Sequence, residues 1–236
     1  MSEAVQKPGR FYKSVDVAPL ESEWTVQLDG RVLKTPAKAS LQLPTEALAH
    51  AIAAEWDAQQ DVLDIHAMHV TRLANVAIDR TPLAREEMAD ELARYCETDL
   101  VCHLADGPAV LRERQEEAWA ELRAWAGKVR GVVLMPVEGI VAAVQPPASL
   151  DAARTYAKSL DDFRLTGLAY GCGLLGSAVL AMAVAEGRLS AAKAFEASRI
   201  DEVFQQEQWG VDEEAAITMQ ARSLEAQALG RWFEVL

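Results

Sequence analysis

Trp24-Thr25-Val26-Gln27-Leu28-Asp29-Gly30-Arg31-Val32-Leu33-Lys34 is a stretch in which apolar and polar residues alternate on both sides of an Asp-Gly pair. A period of two is typical of a half-buried strand, and Asp-Gly tolerates the positive φ angles of a two-residue type I′ turn. A loop of that length places Val26 opposite Leu33 on one face of the pair. The stretch therefore predicts a β-hairpin, and the alternating runs around it predict a small antiparallel sheet between residues 10 and 43.

A helical period replaces this alternation directly after Pro44. Leu48, Ile52 and Trp56 recur every four residues, and Thr45 is a suitable N-cap. We therefore predict a helix over residues 46–59 that packs on the sheet.

The remainder of the chain, from about residue 69, is rich in helix-forming residues and is broken by short segments that contain Gly or Pro. An apolar run at residues 132–137 contains a proline, which restricts it to an edge strand or an extended connector. The predicted fold class is α+β: a small N-terminal antiparallel sheet with a packed helix, followed by a larger C-terminal all-α helical bundle. We place the N-terminal domain at residues 1–65 and the helical domain at residues 66–236.

Charge and cysteine content restrict the classes of partner and the compartment. The 236 residues include 36 acidic and 23 basic side chains, which give a formal net charge of −13. A field of this sign repels nucleic-acid phosphates and anionic lipid headgroups, so we expect no nucleic-acid partner. Three cysteines suit a reducing compartment, and the first residues lack the features of a secretory or organellar targeting segment. These features predict a cytoplasmic protein.

Two segments carry most of the net negative charge. Residues 46–64 hold five acidic residues and no Lys or Arg, and residues 196–214 hold seven acidic residues against Arg199. Such a run is either a solvated face or a docking surface for a basic partner, and the sequence leaves both interpretations open.

A glycine-rich string offers the main enzyme alternative. Gly171-Cys172-Gly173-Leu174-Leu175-Gly176 matches the dinucleotide-binding pattern, which functions only as a turn between a strand and a helix. The residues upstream, 161–165, do not form a buried strand pattern. We favour close packing of small residues between helices, and a nicotinamide-dependent oxidoreductase that uses Gly171–Gly176 stays as the alternative.

Residues 165–185 carry no charge over a length that could cross a bilayer. Several glycines and alanines make this stretch less apolar than a typical membrane span, and leucines recur at helical spacing. We therefore predict one central helix surrounded by others and no membrane insertion.

Histidines and cysteines give little indication of a metal or catalytic site. His66 with His69, and Cys102 with His103, lack the spacing of a zinc site. The sequence contains neither a phosphate-binding loop nor a nucleophile elbow. We predict no metal, no cofactor and no catalytic residues.

Residues 200–210 predict an amphipathic helix with two distinct faces. Ile200, Val203 and Phe204 fall on one side, which we expect to face the core. The opposite side combines a carboxylate, two amides and an indole: Glu202, Gln205, Gln206 and Trp209. A Trp with polar neighbours is a common composition for an interface hot spot. The alternative is that Trp209 only closes the helix end before Gly210.

Motifs spread along the chain together resemble a known family: the chaperones that assemble the F-one sector of ATP synthase by binding its alpha subunit. The matching residues are Arg10-Phe11-Tyr12-Lys13, Leu28-Asp29-Gly30-Arg31, Lys34-Thr35-Pro36, Glu55-Trp56, Gln59-Gln60, Met68-His69-Val70-Thr71, Leu73-Ala74-Asn75, Thr98-Asp99-Leu100, Gln115, Trp119, Trp125, Glu202, Gln205 and Trp209-Gly210. The chain departs from the family in having Gly176-Ser177 where relatives often have Lys-Ser, and in lacking Asp-Pro after Trp119.

The resemblance implies an assembly chaperone with no catalytic activity. Such a protein covers the surface by which a new alpha subunit meets beta, and it leaves when beta arrives. The resemblance also gives weight to Glu202, so the predicted partner-binding residues are Glu202, Gln205, Gln206 and Trp209, joined by Glu55 and Asp57 from the acidic helix. It further implies action in the bacterial cytoplasm, or in the mitochondrial matrix for eukaryotic relatives, and a monomer when free.

Overall fold

The computed structural model describes residues 8–236. These residues form two compact units. The first unit extends to Leu83 and includes the C-terminal residues Glu234–Leu236, whereas the second unit comprises Ala84–Phe233. The fold class is α+β, as the sequence predicts.

Short strands are concentrated near the N-terminus and helices make up most of the rest. The strands are β1 (Val15–Leu20), β2 (Glu23–Leu28), β3 (Arg31–Val32), β4 (His103–Leu104) and β5 (Val137–Glu138). The helices are α1 (Glu46–Asp57), α2 (His69–Asp79), α3 (Thr81–Glu97), α4 (Ala109–Arg130), α5 (Pro147–Ser159), α6 (Asp162–Leu175), α7 (Ala178–Ala185), α8 (Ala191–Ala197), α9 (Ile200–Trp209) and α10 (Glu213–Glu234).

An antiparallel sheet in the order β1-β2-β3 forms the base of the first unit. The predicted hairpin is confirmed: Gln27 pairs with Val32, and Asp29 and Gly30 have φ angles of 49° and 74°. Asp29 accepts hydrogen bonds at 2.9 Å from the backbone N–H groups of Lys13 and Ser14, which lower the pKa of its carboxyl. The Asp-Gly turn therefore sets the register of the hairpin, and the Asp29 side chain fastens the incoming chain to it.

Helix α1 covers this sheet as predicted. Thr45 is its N-cap, and the Thr45 hydroxyl accepts a hydrogen bond from the Leu48 backbone N–H at 3.1 Å. Leu48 and Ile52 have no exposed surface, and they share the core with Val26 of β2. The helix ends at Asp57 rather than at residue 59.

Helix α2 belongs to the first unit, because Glu55 of α1 binds its first turn. The Glu55 carboxylate accepts hydrogen bonds from the backbone N–H groups of Val70 and Thr71, each at 2.7 Å, and from the Thr71 hydroxyl at 2.6 Å. The compact units consequently divide at Leu83, further along the chain than the domain boundary drawn from the sequence. That boundary near residue 65 stays a prediction about independently folding parts.

The uncharged segment at residues 165–185 forms two helices, so the prediction of one central helix is wrong. Gly176 adopts a left-handed φ of 66° and ends α6, and the Ser177 hydroxyl accepts a hydrogen bond from the Leu180 backbone N–H at 3.0 Å to begin α7. Every residue from Ala178 to Val184 is buried. Among residues 8–236, no helix combines the length and the apolar composition needed to cross a membrane.

Asp99 holds the beginning of α7 in the core of the second unit. Its fully buried carboxylate accepts hydrogen bonds from the backbone N–H groups of Val101, at 3.1 Å, and Val179, at 3.0 Å. Burial raises the pKa of Asp99 to about 6, and the hydrogen bonds oppose this shift. The carboxyl group therefore connects the segment before α4 to the N-terminus of α7.

The glycine-rich string serves helix packing. It forms the C-terminal part of α6 instead of a turn that follows a strand. A Cβ atom on Gly171 would meet the Ala181 side chain at 3.2 Å, and one on Gly167 would lie 2.6 Å from the Trp232 ring. The packing interpretation is confirmed, and the strand-turn-helix context that the oxidoreductase alternative requires is not present at this string.

The apolar run at residues 132–137 is an extended connector that ends in β5. Strand β5 pairs in parallel with β4, so that His103 lies opposite Val137 and Leu104 opposite Glu138. This agrees with the prediction from the sequence, since the proline lies just outside the paired residues.

Candidate functional site

Helix α9 carries the predicted partner-binding residues, and three contacts with α4 fix its orientation. The Gln115 amide donates to the Asp201 carboxylate at 2.7 Å. Arg114 forms an ion pair with Glu207 at 2.8 Å, and its guanidinium lies 5.5 Å from the centre of the Phe204 ring, which is buried. The side of α9 that contains Asp201 and Phe204 therefore faces α4.

Two buried polar side chains of α4 support the chain around the start of α9. The Gln115 carbonyl accepts a hydrogen bond from the Ala105 backbone N–H at 2.7 Å, so both ends of this amide are satisfied. The Trp119 indole donates to the Ala197 carbonyl at 2.9 Å. Burial raises the pKa of Asp201, and its hydrogen bond with Gln115 opposes this. The resemblance motifs Gln115 and Trp119 thus have a positioning role in this chain.

The opposite side of α9 brings together the four residues predicted for it. Trp209 is 80% exposed, and Gln205 is also exposed. Glu202 and Gln206 are partly covered. The four residues form one surface with an indole, a carboxylate and two amides, as the helical spacing predicts, and their role in partner binding stays a prediction. We call these residues, Glu202, Gln205, Gln206 and Trp209, the α9 surface.

Val203 is exposed, although helical periodicity predicts it on the buried side of α9. It is 42% exposed. At 100° per residue, Val203 lies a quarter turn away from Phe204, and the contact with α4 is centred on Phe204 and Asp201. Val203 therefore sits at the edge of the contact and adds apolar area to the solvent side.

Glu202 has a partner within the chain. Its carboxylate pairs with the Arg199 guanidinium at 2.8 Å, and 45% of the Glu202 side chain stays exposed, against 14% for Arg199. Arg199 also donates to the Leu174 carbonyl at 3.3 Å and lies over the Phe195 ring. Glu202 therefore neutralises a largely covered cation and still presents carboxylate surface to solvent.

The two acidic residues predicted from α1 have different environments. The Glu55 carboxylate accepts hydrogen bonds from the first turn of α2, and burial raises its pKa. The Asp57 side chain is 73% exposed and pairs with Arg10 at 3.5 Å. Asp57 is thus accessible to a partner, whereas the carboxylate of Glu55 is engaged within the first unit.

The described residues hold no cluster of metal ligands, and the cysteines are buried. Within residues 8–236, no group of three His, Cys, Asp or Glu side chains could hold a metal ion. All three cysteines are buried, and burial raises the pKa of Cys102 to about 12. A thiol with such a pKa stays protonated at neutral pH and is a poor nucleophile.

An exposed apolar loop between β5 and α5 was missed by the sequence analysis. Ile140, Val141 and Val144 are 95%, 77% and 95% exposed. Gln145 anchors the end of the loop, because its amide accepts from the Met135 N–H at 2.8 Å and donates to the Met135 carbonyl at 3.1 Å. Apolar composition in the sequence does not distinguish such a loop from a buried connector; exposure can be assigned only from the fold.

Comparisons with known proteins agree on one family. The sequence model of the ATP12 chaperone protein family matches residues 9–127. The mitochondrial protein atp12 of Schizosaccharomyces pombe is 28% identical over 218 residues, which are 87% of this chain and 75% of that protein. The crystal structure of Atp12 from Paracoccus denitrificans is 41% identical, with a TM-score of 0.89 over 96% of this chain and 97% of that chain.

A further solved structure extends this agreement. The Atu1473 protein of Agrobacterium tumefaciens is 37% identical, with a TM-score of 0.90 over 97% of this chain and 86% of that chain. The similarity therefore covers both units and includes α9. On the family match and these structural relatives, this chain belongs to the ATP12 chaperone family.

Proposed function

We propose that this protein is a non-enzymatic chaperone for assembly of the F-one sector of ATP synthase. It binds the free alpha subunit and shields the surface that beta later occupies, and it is displaced when beta arrives. The chaperone part follows from family membership. The choice of the alpha subunit rests on the resemblance of the motifs and on the α9 surface.

The observation that carries the proposal is the exposure of Trp209 on a rigid helix. Its indole is 80% exposed, although α9 is fastened to α4 by two polar contacts. An exposed Trp on a preorganised element offers a large contact area at a small entropic cost. Trp209 makes one end of the α9 surface apolar, and Glu202 makes the other end acidic. Such a surface complements an apolar protein interface that has basic residues at its margin.

The mechanism needs no chemical energy. A subunit without its partner exposes an apolar interface and aggregates, and a bound chaperone removes this interface from solution. Displacement follows by mass action if beta binds alpha more tightly than the chaperone does. The chaperone must therefore bind with less affinity than the final partner.

The setting of this activity is also part of the proposal. The chaperone acts in a bacterial cytoplasm, in line with its bacterial structural relatives, while the Schizosaccharomyces pombe relative is mitochondrial. We further propose that it is a monomer when free. Asp57 is a candidate for a second contact, and Glu55 is left out because its carboxylate serves α2.

Light scattering of the isolated alpha subunit tests the proposal. The chaperone at equal concentration is expected to suppress aggregation of alpha. Addition of beta is expected to release the chaperone from alpha, which gel filtration detects. Glu202→Lys should weaken the suppression, and Glu87→Lys, the same charge change on an exposed residue of α3, should not. Aggregation of alpha that proceeds unchanged with the chaperone present would refute the function.

A further inference from the structure

A groove next to the α9 surface is lined by α8, α9 and α10. It has a volume of about 490 Å³. Phe195 of α8, Gln206 of α9 and Val211 before α10 form one wall, and α10 forms the other. Gln206 belongs to the α9 surface, and Trp209 follows it by three residues on the same side of the helix. The groove is therefore continuous with the surface proposed to bind the partner.

The α10 wall has the pattern of a helix that packs against another helix. Ala216, Met219, Gln220 and Ser223 line the groove at spacings of three, four and seven residues, and Ala226 and Gln227 continue the row. From Ala216 to Gln227 the row is about 16 Å long, or about three helical turns. Small side chains in this row allow a second helix to approach closely, and Met219 adapts its shape to different contacts.

The N-terminal half of α10 has no covering element within residues 8–236. From Glu213 to Gln220 every residue is exposed except Met219, which is partly covered. The helix is fixed by its other half, where Ala226, Leu229 and Trp232 are buried. The groove-lining face of α10 is therefore not covered by another helix over its N-terminal half.

The charge at the margin of the groove is negative. Of the seven acidic residues at positions 196–214, Asp201 and Glu207 face α4 and Glu202 is paired with Arg199, so the charge nearest the groove comes from Glu196 and from residues 212–214. Glu196 lines the groove itself. Glu213 and Glu214 are exposed in the first turn of α10, where they also stabilise the helix N-terminus. A ligand with positive charge at its ends complements this rim.

We propose that the α8–α9–α10 groove binds one amphipathic helix of the free alpha subunit. The helix has an apolar stripe of about three turns and Lys or Arg at its flanks. A helix is favoured over an extended strand because the groove is bordered by α8, α9, α10 and the short segment at Val211, and no strand edge of residues 8–236 lines it. This inference rests on the proposed function and adds the place and the chemistry of the partner segment.

Replacement of either of two alanines on α10 by tryptophan tests the groove. Ala216→Trp fills it, whereas Ala221→Trp places the same side chain on an exposed position about 140° away around the helix. Binding of the isolated alpha subunit by calorimetry should weaken at least about tenfold for Ala216→Trp and less than about twofold for Ala221→Trp. Thermal unfolding of both variants should stay within a few degrees of the unaltered protein.

Overlapping synthetic peptides that cover the alpha subunit identify the occupant. We expect a bound peptide that becomes helical in circular dichroism, that Ala216→Trp no longer binds, and that loses affinity in about 0.5 M NaCl. Replacement of its Lys and Arg residues by Gln should have the same effect as the salt. A bound peptide that is acidic or extended would contradict the proposed chemistry.

The outcomes separate this inference from the function it rests on. Equal binding of alpha by Ala216→Trp and Ala221→Trp would overturn the groove and leave the chaperone function intact. No binding of alpha by the unaltered chain would overturn both. A concentration-dependent dimer that Ala216→Trp abolishes would assign the groove to a second copy of this chain and overturn the inference.

Discussion

Removal of the Trp209 indole should separate partner binding from folding. The structure exposes 80% of this residue on a helix held by other side chains, Gln115 and Arg114 among them. A Trp side chain offers about 150–250 Å² for burial. If a partner covers the exposed four-fifths, about 120–200 Å² of apolar surface leaves water, which corresponds to about 3–5 kcal/mol at about 25 cal/mol per Å².

The observed loss will be smaller than this upper value, because ordering of the interface and its polar groups opposes binding. We expect Trp209→Ala to cost about 2–4 kcal/mol of binding free energy, the range of a hot spot, which is a roughly 30-fold or larger increase in Kd. The fifth of the side chain that is already covered amounts to about 30–50 Å², so the free energy of unfolding should fall by about 1 kcal/mol at most.

Calorimetric titration with the isolated alpha subunit measures the first quantity, and thermal or urea unfolding measures the second. Leu83→Ala is the control, because Leu83 is 89% exposed and lies in the other unit. That variant should keep full affinity. Full affinity of Trp209→Ala would refute the assignment of Trp209 to the interface, and a large loss of stability would show that the indole supports the fold.

Three further predictions concern stability. Gly167→Ala should destabilise the protein by about 2 kcal/mol or more, because the new Cβ would lie 2.6 Å from the Trp232 ring. In Gly173→Ala, in the same helix, the nearest contact of the new Cβ would be at 3.7 Å, so this variant should be neutral or stabilised by up to about 1 kcal/mol. Urea unfolding measures both effects. The raised pKa of Asp99, about 6 against 3.8, means that the folded state binds the proton more tightly, so this residue should lower the free energy of unfolding by about 3 kcal/mol as the pH rises from about 3 to about 7. Stability curves of the unaltered protein and of Asp99→Asn that run parallel over this range would contradict that pKa. Glu55→Gln should cost about 1–3 kcal/mol because it weakens the hydrogen bonds to the first turn of α2, whereas Asp57→Asn should change the midpoint of unfolding very little, and equal effects of the two variants would show that Glu55 is not a helix cap.

The sequence alone determined the elements that depend on residues close together in the chain. The hairpin at Asp29-Gly30 follows from turn geometry and alternation, and α1 follows from its N-cap at Thr45 and its four-residue spacing. The grouping of Glu202, Gln205, Gln206 and Trp209 on one face of α9 follows from helical periodicity. In each case the decisive interactions join residues only a few positions apart.

Long-range contacts decided the rest. The capping role of Glu55 depends on α2 lying against α1, and the burial of Asp99 depends on α7, which is 80 positions away in the chain. The exposure of Val203 and of the loop around Ile140 depends on which surfaces the other helices cover. Periodicity shows that a side chain is apolar and on which face it lies, but only tertiary packing determines whether another element covers that face. For the same reason the groove along α10 could be found only in the folded chain, since its walls come from three helices.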